Sequence, residues 1–312
     1  MLAPAPASRR GRAVTLATRV QACTVNEREK GDGKRVARAW CLGAGGGAAM
    51  FGVAHCRDRA GRLRRHAAVR SAAVLERRRH EGRERDTTRP GSAGYVPPAE
   101  RIATFDNDGT LWTEHPMYVE VLFTLDRIKA MAAANPGWRD DQPFKAVIDG
   151  DRAAMAKFSE ADFFKLIAAT HAGRTSAQFR KDAADWLAAT KDPRFGRLYT
   201  ELVYQPMLEE LAYFRANGYR TYIVSGGTLD FIRSFADKAY GIPPEQVIGT
   251  SFDAKYTFAG DVATVAAEPK LMLLDDGPGK AVGIDHVIGR VPIAAFGNSD
   301  GDLAMLQTTT NS

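Results

Sequence analysis

Four short apolar runs, each stopping at a polar, glycine-rich turn, constrain this chain more than any other feature. Residues 102–105 (IATF) end at "DNDGT", 221–224 (TYIV) at "SGGT", 247–248 (VI) at "GTSF", and 293–296 (IAAF) at "GNSDGD". Runs this short, with few polar breaks, suit strands buried on both faces of a parallel sheet. Helical patterns lie between them. Residues 206–218 carry Pro206 in the first turn, Leu208, Leu211 and Ala212 on one face, and Gly218 as the stop. Residues 229–241 repeat the scheme with Leu229, Ile232, Phe235, Ala236 and Ala239, closing at Gly241. The alternation predicts an α/β domain built on a doubly wound, Rossmann-like parallel sheet. Ligands of such sheets gather at the carboxyl ends of the strands, where the acid- and glycine-rich turns fall.

The rhythm breaks between "DNDGT" and "SGGT". Phe163, Leu166 and Ile167, then Phe179, Ala183, Trp186 and Leu187, recur at the helical period over a stretch too long for one crossover. Residues 115–200 are therefore expected to form an inserted helical cap, with 96–114 and 201–312 as the α/β core. A smaller insertion is expected over about 250–270, where 256–265 (YTFAGDVATV) reads as a hairpin turning at Ala259-Gly260-Asp261.

Charge divides the chain. Residues 1–95 hold 21 Lys+Arg against 8 Asp+Glu, whereas 96–312 hold 22 against 29. All three cysteines (Cys23, Cys41, Cys56) lie in the basic part, at spacings that match no zinc pattern. With few patterned apolar residues to offset ordering entropy, 1–95 is expected to be a disordered or weakly helical leader. A start site placed too far upstream, a wrong reading frame, or an Arg-rich arm are the alternatives. Missing aromatic interleaving argues against nucleic acid as the partner. No apolar run approaches the roughly 20 residues of a membrane span, and no apolar core of a secretory signal follows the basic start. No membrane partner is expected, and a cytoplasmic location is.

The turns carry the chemistry. Asp106 and Asp108 follow the first run, Ser225-Gly226-Gly227 the second, and Asn298, Asp300 and Asp302 the last, with a lysine late in the chain. This order and content resemble the haloacid dehalogenase superfamily over roughly residues 100–306. "DNDGT" stands as its first motif, "SGG" as its second, Lys280 as its third and "GNSDGD" as its fourth. Lys270 is the competing lysine. The resemblance implies a Mg²⁺-dependent phosphatase acting on a small phosphorylated metabolite. Asp106 would be the nucleophile that becomes an aspartyl phosphate. Asp108 would be the acid and then the base, and Lys280 would neutralise charge between them and the phosphate. Ser225, Gly226 and Gly227, expected at a helix start, would hold phosphate oxygens. Asp106, Asp108, Asn298 and Asp302 would serve the metal. The fourth motif departs from the family pattern, since Asn298 stands where an Asp is usual and Asp300 could replace the lost carboxylate.

The insertion and "SGG" look most like the phosphoserine-phosphatase branch. That likeness implies an acid soon after the first motif, for which Glu114 is the candidate, and a cap arginine, either Arg174 or Arg180. Phosphoserine, a phosphocholine-like ester and a sugar phosphate all stay open as substrates. His115 reads as structural. A silent binding or regulatory protein on the same fold, or a phosphomutase or phosphotransferase, are the rival readings.

Overall fold

The computed structural model describes residues 86–310, together with two short strands, β1 (Cys41–Gly43) and β2 (Gly47–Ala49), which pair antiparallel. The expected disordered leader otherwise lies outside the described residues. The domain itself begins before residue 96, because the Val96 N–H donates to Thr87 O (2.8 Å) and the Thr87 hydroxyl meets the Tyr219 hydroxyl at 2.6 Å.

The main sheet has five strands: β3 (Ile102–Phe105), β4 (Arg220–Thr228), β5 (Val247–Ala259), β6 (Val262–Leu273) and β7 (Ala294–Phe296). Their spatial order is β6-β5-β4-β3-β7. β3 runs parallel to β4 and β7, and β4 runs parallel to β5, while β6 returns antiparallel at the edge. All four residues of β3 are buried, as the apolar run requires of a strand covered on both faces. Phe105 stacks on Phe296 (4.6 Å between ring centroids), and Phe214 meets both edge-on, which makes an aromatic floor beneath the strand ends.

The first five of the six helices between β3 and β4 are α1 (Val119–Met131), α2 (Phe144–Asp149), α3 (Arg152–Met155), α4 (Glu160–His171) and α5 (Ser176–Ala189). Capping boxes start α4 (Ser159 with Asp162) and α5 (Thr175 with Gln178), each satisfying backbone N–H groups that a helix leaves open. This segment has its own small core of Ile128, Phe144, Val147 and Leu166. Phe123, Phe179, Ala183 and Leu187 instead join the main core around Phe105 and Phe231. The insertion is thus fused to the sheet domain along one side.

Two elements differ from the pattern read in the sequence. The helix expected over 229–241 is two short ones, α7 (Leu229–Arg233) and α8 (Ala236–Tyr240), after α6 (Gln205–Ala216). The Ser234 hydroxyl donates to Phe231 O (2.6 Å) at the break, and Phe235 leaves helical geometry with φ −137°. The small hairpin is a long arm, because β5 and β6 pair from their bases to a tip at Gly260 and Asp261, both at positive φ. Its middle is pinned to the insertion by Gly173 N–H to Ala267 O and Ala267 N–H to Arg174 O, both 2.8 Å. Among the described residues no helix is long and apolar enough to cross a membrane.

Candidate active site

Parallel register brings the first, second and fourth turns to one edge. Phe105 lies opposite Ile223 on one side and Phe296 on the other, so the residues following each strand emerge together. The Asp106 N–H donates to Phe296 O (2.9 Å), continuing the pairing one residue past β3. Lys280 enters from α9 (Pro278–Ile288), whose first turn takes Pro278 because a missing N–H costs nothing there.

Lys280 is 2 % exposed. Its ammonium group donates to Asp106 Oδ1 (2.6 Å), Asp302 Oδ1 (2.5 Å) and Val224 O (3.0 Å), which uses all three protons. Burial alone would lower its pKa, but Asp106 and Asp302 hold it above the ordinary lysine value. Lys270, the competing lysine, pairs with Asp253 on the exposed arm.

Asp106 is pushed up to about 7, chiefly by burial, with Lys280 pulling the other way. Asp108 is pushed up to about 6 by burial, and a hydrogen bond from the Trp112 indole N–H to its Oδ1 (2.8 Å) opposes that rise. Gly109, the residue after Asp108, is at φ +79°, and a Cβ there would sit 2.2 Å from Asn298 Nδ2 and 2.7 Å from Glu114 Oε2. Only glycine allows the loop that close to the fourth turn.

Asp302 is fully buried, and both its oxygens are filled. One accepts from Lys280, the other from the N–H groups of Asn298 and Ser299, each at 2.9 Å. These contacts make Asp302, expected as a metal ligand, an anchor of Lys280 and of the turn. Asp300 is exposed at the start of a 3-10 turn, which gives no support to its replacing a carboxylate. The Asn298 side-chain oxygen accepts the Thr110 hydroxyl (2.9 Å), and its amide donates to Glu114 Oε2 (3.3 Å).

Ser225, Gly226 and Gly227 are the extended end of β4 and not a helix start. The helix that follows has five residues, and the Thr228 N–H at its cap is taken by Glu120 Oε2 (2.8 Å). Any hold on phosphate must come from the Ser225 hydroxyl and strand-end N–H groups, without help from a helix dipole. The Ser225 oxygen already accepts the Gly227 N–H (3.2 Å), which leaves its proton free to donate.

Arg174 and Arg180 are tied up elsewhere. Arg174 pairs with Asp182, as does Arg127, and Arg180 lies 3.6 Å from Asp230. Glu114 stays at the site, against Gly109 and Asn298 and 3.4 Å from His115.

Four residues at this edge gave no readable signal in the sequence. Trp112 and Glu120 hold Asp108 and Thr228, as described. Glu120 is pushed up to about 7 by burial. Asp275 is buried and pushed up to about 7, again by burial, with Lys280 drawing it down. Asp276 is exposed, its Oδ1 placed so that a Cβ on Gly301 would lie 2.3 Å away and one on Gly226 3.7 Å away.

The arrangement offers a carboxylate beside a buried ammonium group, and a second carboxyl group two residues on, at the end of a parallel strand. Solved structures match parts of the chain at low identity. A protein of unknown function from Bordetella pertussis Tohama I is 14 % identical, covers 68 % of this chain and 87 % of its own, and superposes with TM-score 0.43. A phosphoserine phosphohydrolase-like protein from Francisella tularensis is 18 % identical, with coverage of 61 % and 73 % and TM-score 0.29. A phosphoserine phosphatase solved as a phospho-aspartyl intermediate analogue is 15 % identical, with coverage of 67 % and 83 % and TM-score 0.32. No curated protein matches the chain. The family model described as haloacid dehalogenase-like hydrolase matches residues 103–307, which span every cluster above. The chain belongs to the haloacid dehalogenase-like hydrolases.

Proposed function

We propose that this hydrolase is a Mg²⁺-dependent phosphatase that removes phosphate from a small phosphomonoester through an aspartyl phosphate on Asp106. The observation that carries the reading is the buried contact of Lys280 with Asp106 and Asp302, with Asp108 two residues beyond. Asp106 attacks phosphorus, Asp108 protonates the leaving oxygen, and Asp108 then takes a proton from the water that releases phosphate. Lys280 offsets charge on the nucleophile and the transferring group. The Ser225 hydroxyl and the N–H group of Gly226 orient the phosphate oxygens.

The donors near Asp106 fit a hard cation, since Asp106 and the Asn298 side chain offer oxygen. A bound Mg²⁺ would supply positive charge that keeps Asp106 ionised and spreads the charge on the phosphoryl group.

Among the three substrate classes, the surroundings favour a phosphocholine-like ester. Glu114 and Asp276 flank the cluster, and Tyr118 and Tyr204 are 53 % and 38 % exposed. Burial raises the pKa of both tyrosines, and Glu114 and Asp108 add to it, so rings and acids share one mouth. Aromatic faces beside carboxylates suit a cationic leaving alcohol. With Arg174 and Arg180 paired to Asp182 and Asp230, neither is free for the carboxylate of phosphoserine. A panel of phosphocholine, phosphoserine and hexose phosphates assayed with Mg²⁺ tests the reading. Release of phosphate from phosphocholine first is expected; preference for phosphoserine would contradict the substrate class, and activity that survives EDTA would contradict the metal.

A further inference from the structure

We propose that Trp112 is a positioning residue, fixing which oxygen of Asp108 carries the proton that is transferred. The inference rests on the phosphatase reading above.

Trp112 is fully buried, and an indole N–H in such a place needs an acceptor. The acceptor is Asp108 Oδ1, at 2.8 Å. The ring has little freedom to swing. It stacks on Phe235 (4.4 Å between centroids, 18° between planes) and lies 6.4 Å from Phe231. The backbone closes the same turn a second time, since Gly109 N–H donates to Trp112 O (2.9 Å), and Trp112 also bridges to Val203. Even the break between α7 and α8 serves this stack, because Phe235 leaves the helix there.

An indole nitrogen can only donate. Oδ1 of Asp108 is therefore kept as an acceptor, and the acid's proton belongs on Oδ2. In the first step an Asp106 oxygen bonds to phosphorus as the bond to the leaving oxygen breaks, and the Oδ2 proton passes to that oxygen to give the free alcohol. In the second step Oδ2 takes a proton from water as the water oxygen bonds to phosphorus and the bond to Asp106 breaks. One oxygen thus serves both directions while the other is tethered. Without the indole tether only the Asn107 side chain still bonds the carboxyl group, which can then turn its proton away from the ester.

Leaving-group dependence tests this, because an alkoxide needs the proton and nitrophenolate hardly does. The experiment measures kcat and KM for phosphocholine and p-nitrophenyl phosphate, with Mg²⁺, in the wild type and Trp112→Phe. The variant is expected to lose about 10- to 100-fold in kcat on phosphocholine and less than about 3-fold on p-nitrophenyl phosphate, with KM within about 2-fold for both. Trp112→Met, which fills the space without an N–H, is the second variant and is expected to lose in the same selective way. Equal losses on the two esters in a folded variant, or a loss carried by KM, would overturn the inference and leave the phosphatase reading standing. A wild-type protein that hydrolyses neither ester would remove that reading, and the inference with it.

Discussion

Lys280 and His171 are both basic and both buried, yet the protein treats them in opposite ways. Lys280 sits between Asp106 and Asp302 and is held charged by them. His171 lies where the insertion meets the long arm, stacked on Phe179 (3.7 Å) and near Phe252 (4.7 Å). Its Nδ1 meets Ile167 O at 2.9 Å, and its Nε2 is buried without a hydrogen-bond partner. Burial pushes its pKa down to about 4, so it is neutral. The difference separates a site from a seam. Charge is buried, with Lys280 paired to Asp106 and Asp302, at the proposed active site. At the joint between two elements an imidazole is used as a flat, uncharged plate.

Breaking the Lys280 side of this comparison should have the largest effect. Lys280→Met leaves Asp106 and Asp302 as two buried carboxylates without their partner, which is expected to cost roughly 3–5 kcal/mol of stability together with turnover. Urea unfolding of the variant and the wild type measures it. A loss below about 1 kcal/mol would mean that the cluster is less dry than its geometry implies.

The His171 side should give a smaller effect, confined to acid. The unfolded imidazole takes a proton below about 6.5 and the folded one only below about 4. Stability from this group is therefore complete above pH 6.5, is lost as pH falls toward 4, and amounts to at most about 3 kcal/mol. His171→Leu should flatten that part of the stability curve between pH 6.5 and 4. Identical curves for variant and wild type would show that the imidazole is hydrated at the seam.

The smallest expected change adds charge to the site. Asn298→Asp places a carboxylate on the fourth turn, against Thr110 and Glu114, and the Mg²⁺ concentration for half-maximal activity should fall several-fold. An unchanged or higher requirement would take Asn298 out of the metal's neighbourhood.

How much of this could be read from the sequence follows from what each feature depends on. The strand ends were legible because burial on both faces leaves a local mark, an apolar run with an abrupt polar stop. Asp106, Asp108, Asn298 and Asp302 could be placed at one edge for that reason, although only the fold shows Asp302 filled by Lys280 and backbone N–H groups. Lys270 and Lys280 could be told apart only by weighing their neighbours, since each reaches its carboxylate across the fold. Trp112 and Glu120 carry no local signal of a role at the site. Their partners, Asp108 within a turn and Thr228 more than a hundred residues away, are set by tertiary packing. The arm was read too short because Glu268 and Pro269 look like a strand's end, whereas an edge strand tolerates proline. The domain start was placed too late because the ties of Thr87 to Val96 and Tyr219 leave no pattern.

Asp106 as a covalent nucleophile is the centre of the proposed mechanism. Acid-quenching the enzyme within its first turnovers of phosphocholine and Mg²⁺, then mapping phosphate by peptide mass spectrometry, tests that directly. The predicted result is one phosphate on the peptide containing Asp106, absent from Asp106→Asn, which should also lose roughly 10⁴-fold or more in kcat. Phosphate found on another residue, or an Asp106→Asn protein that keeps turning over, would contradict it.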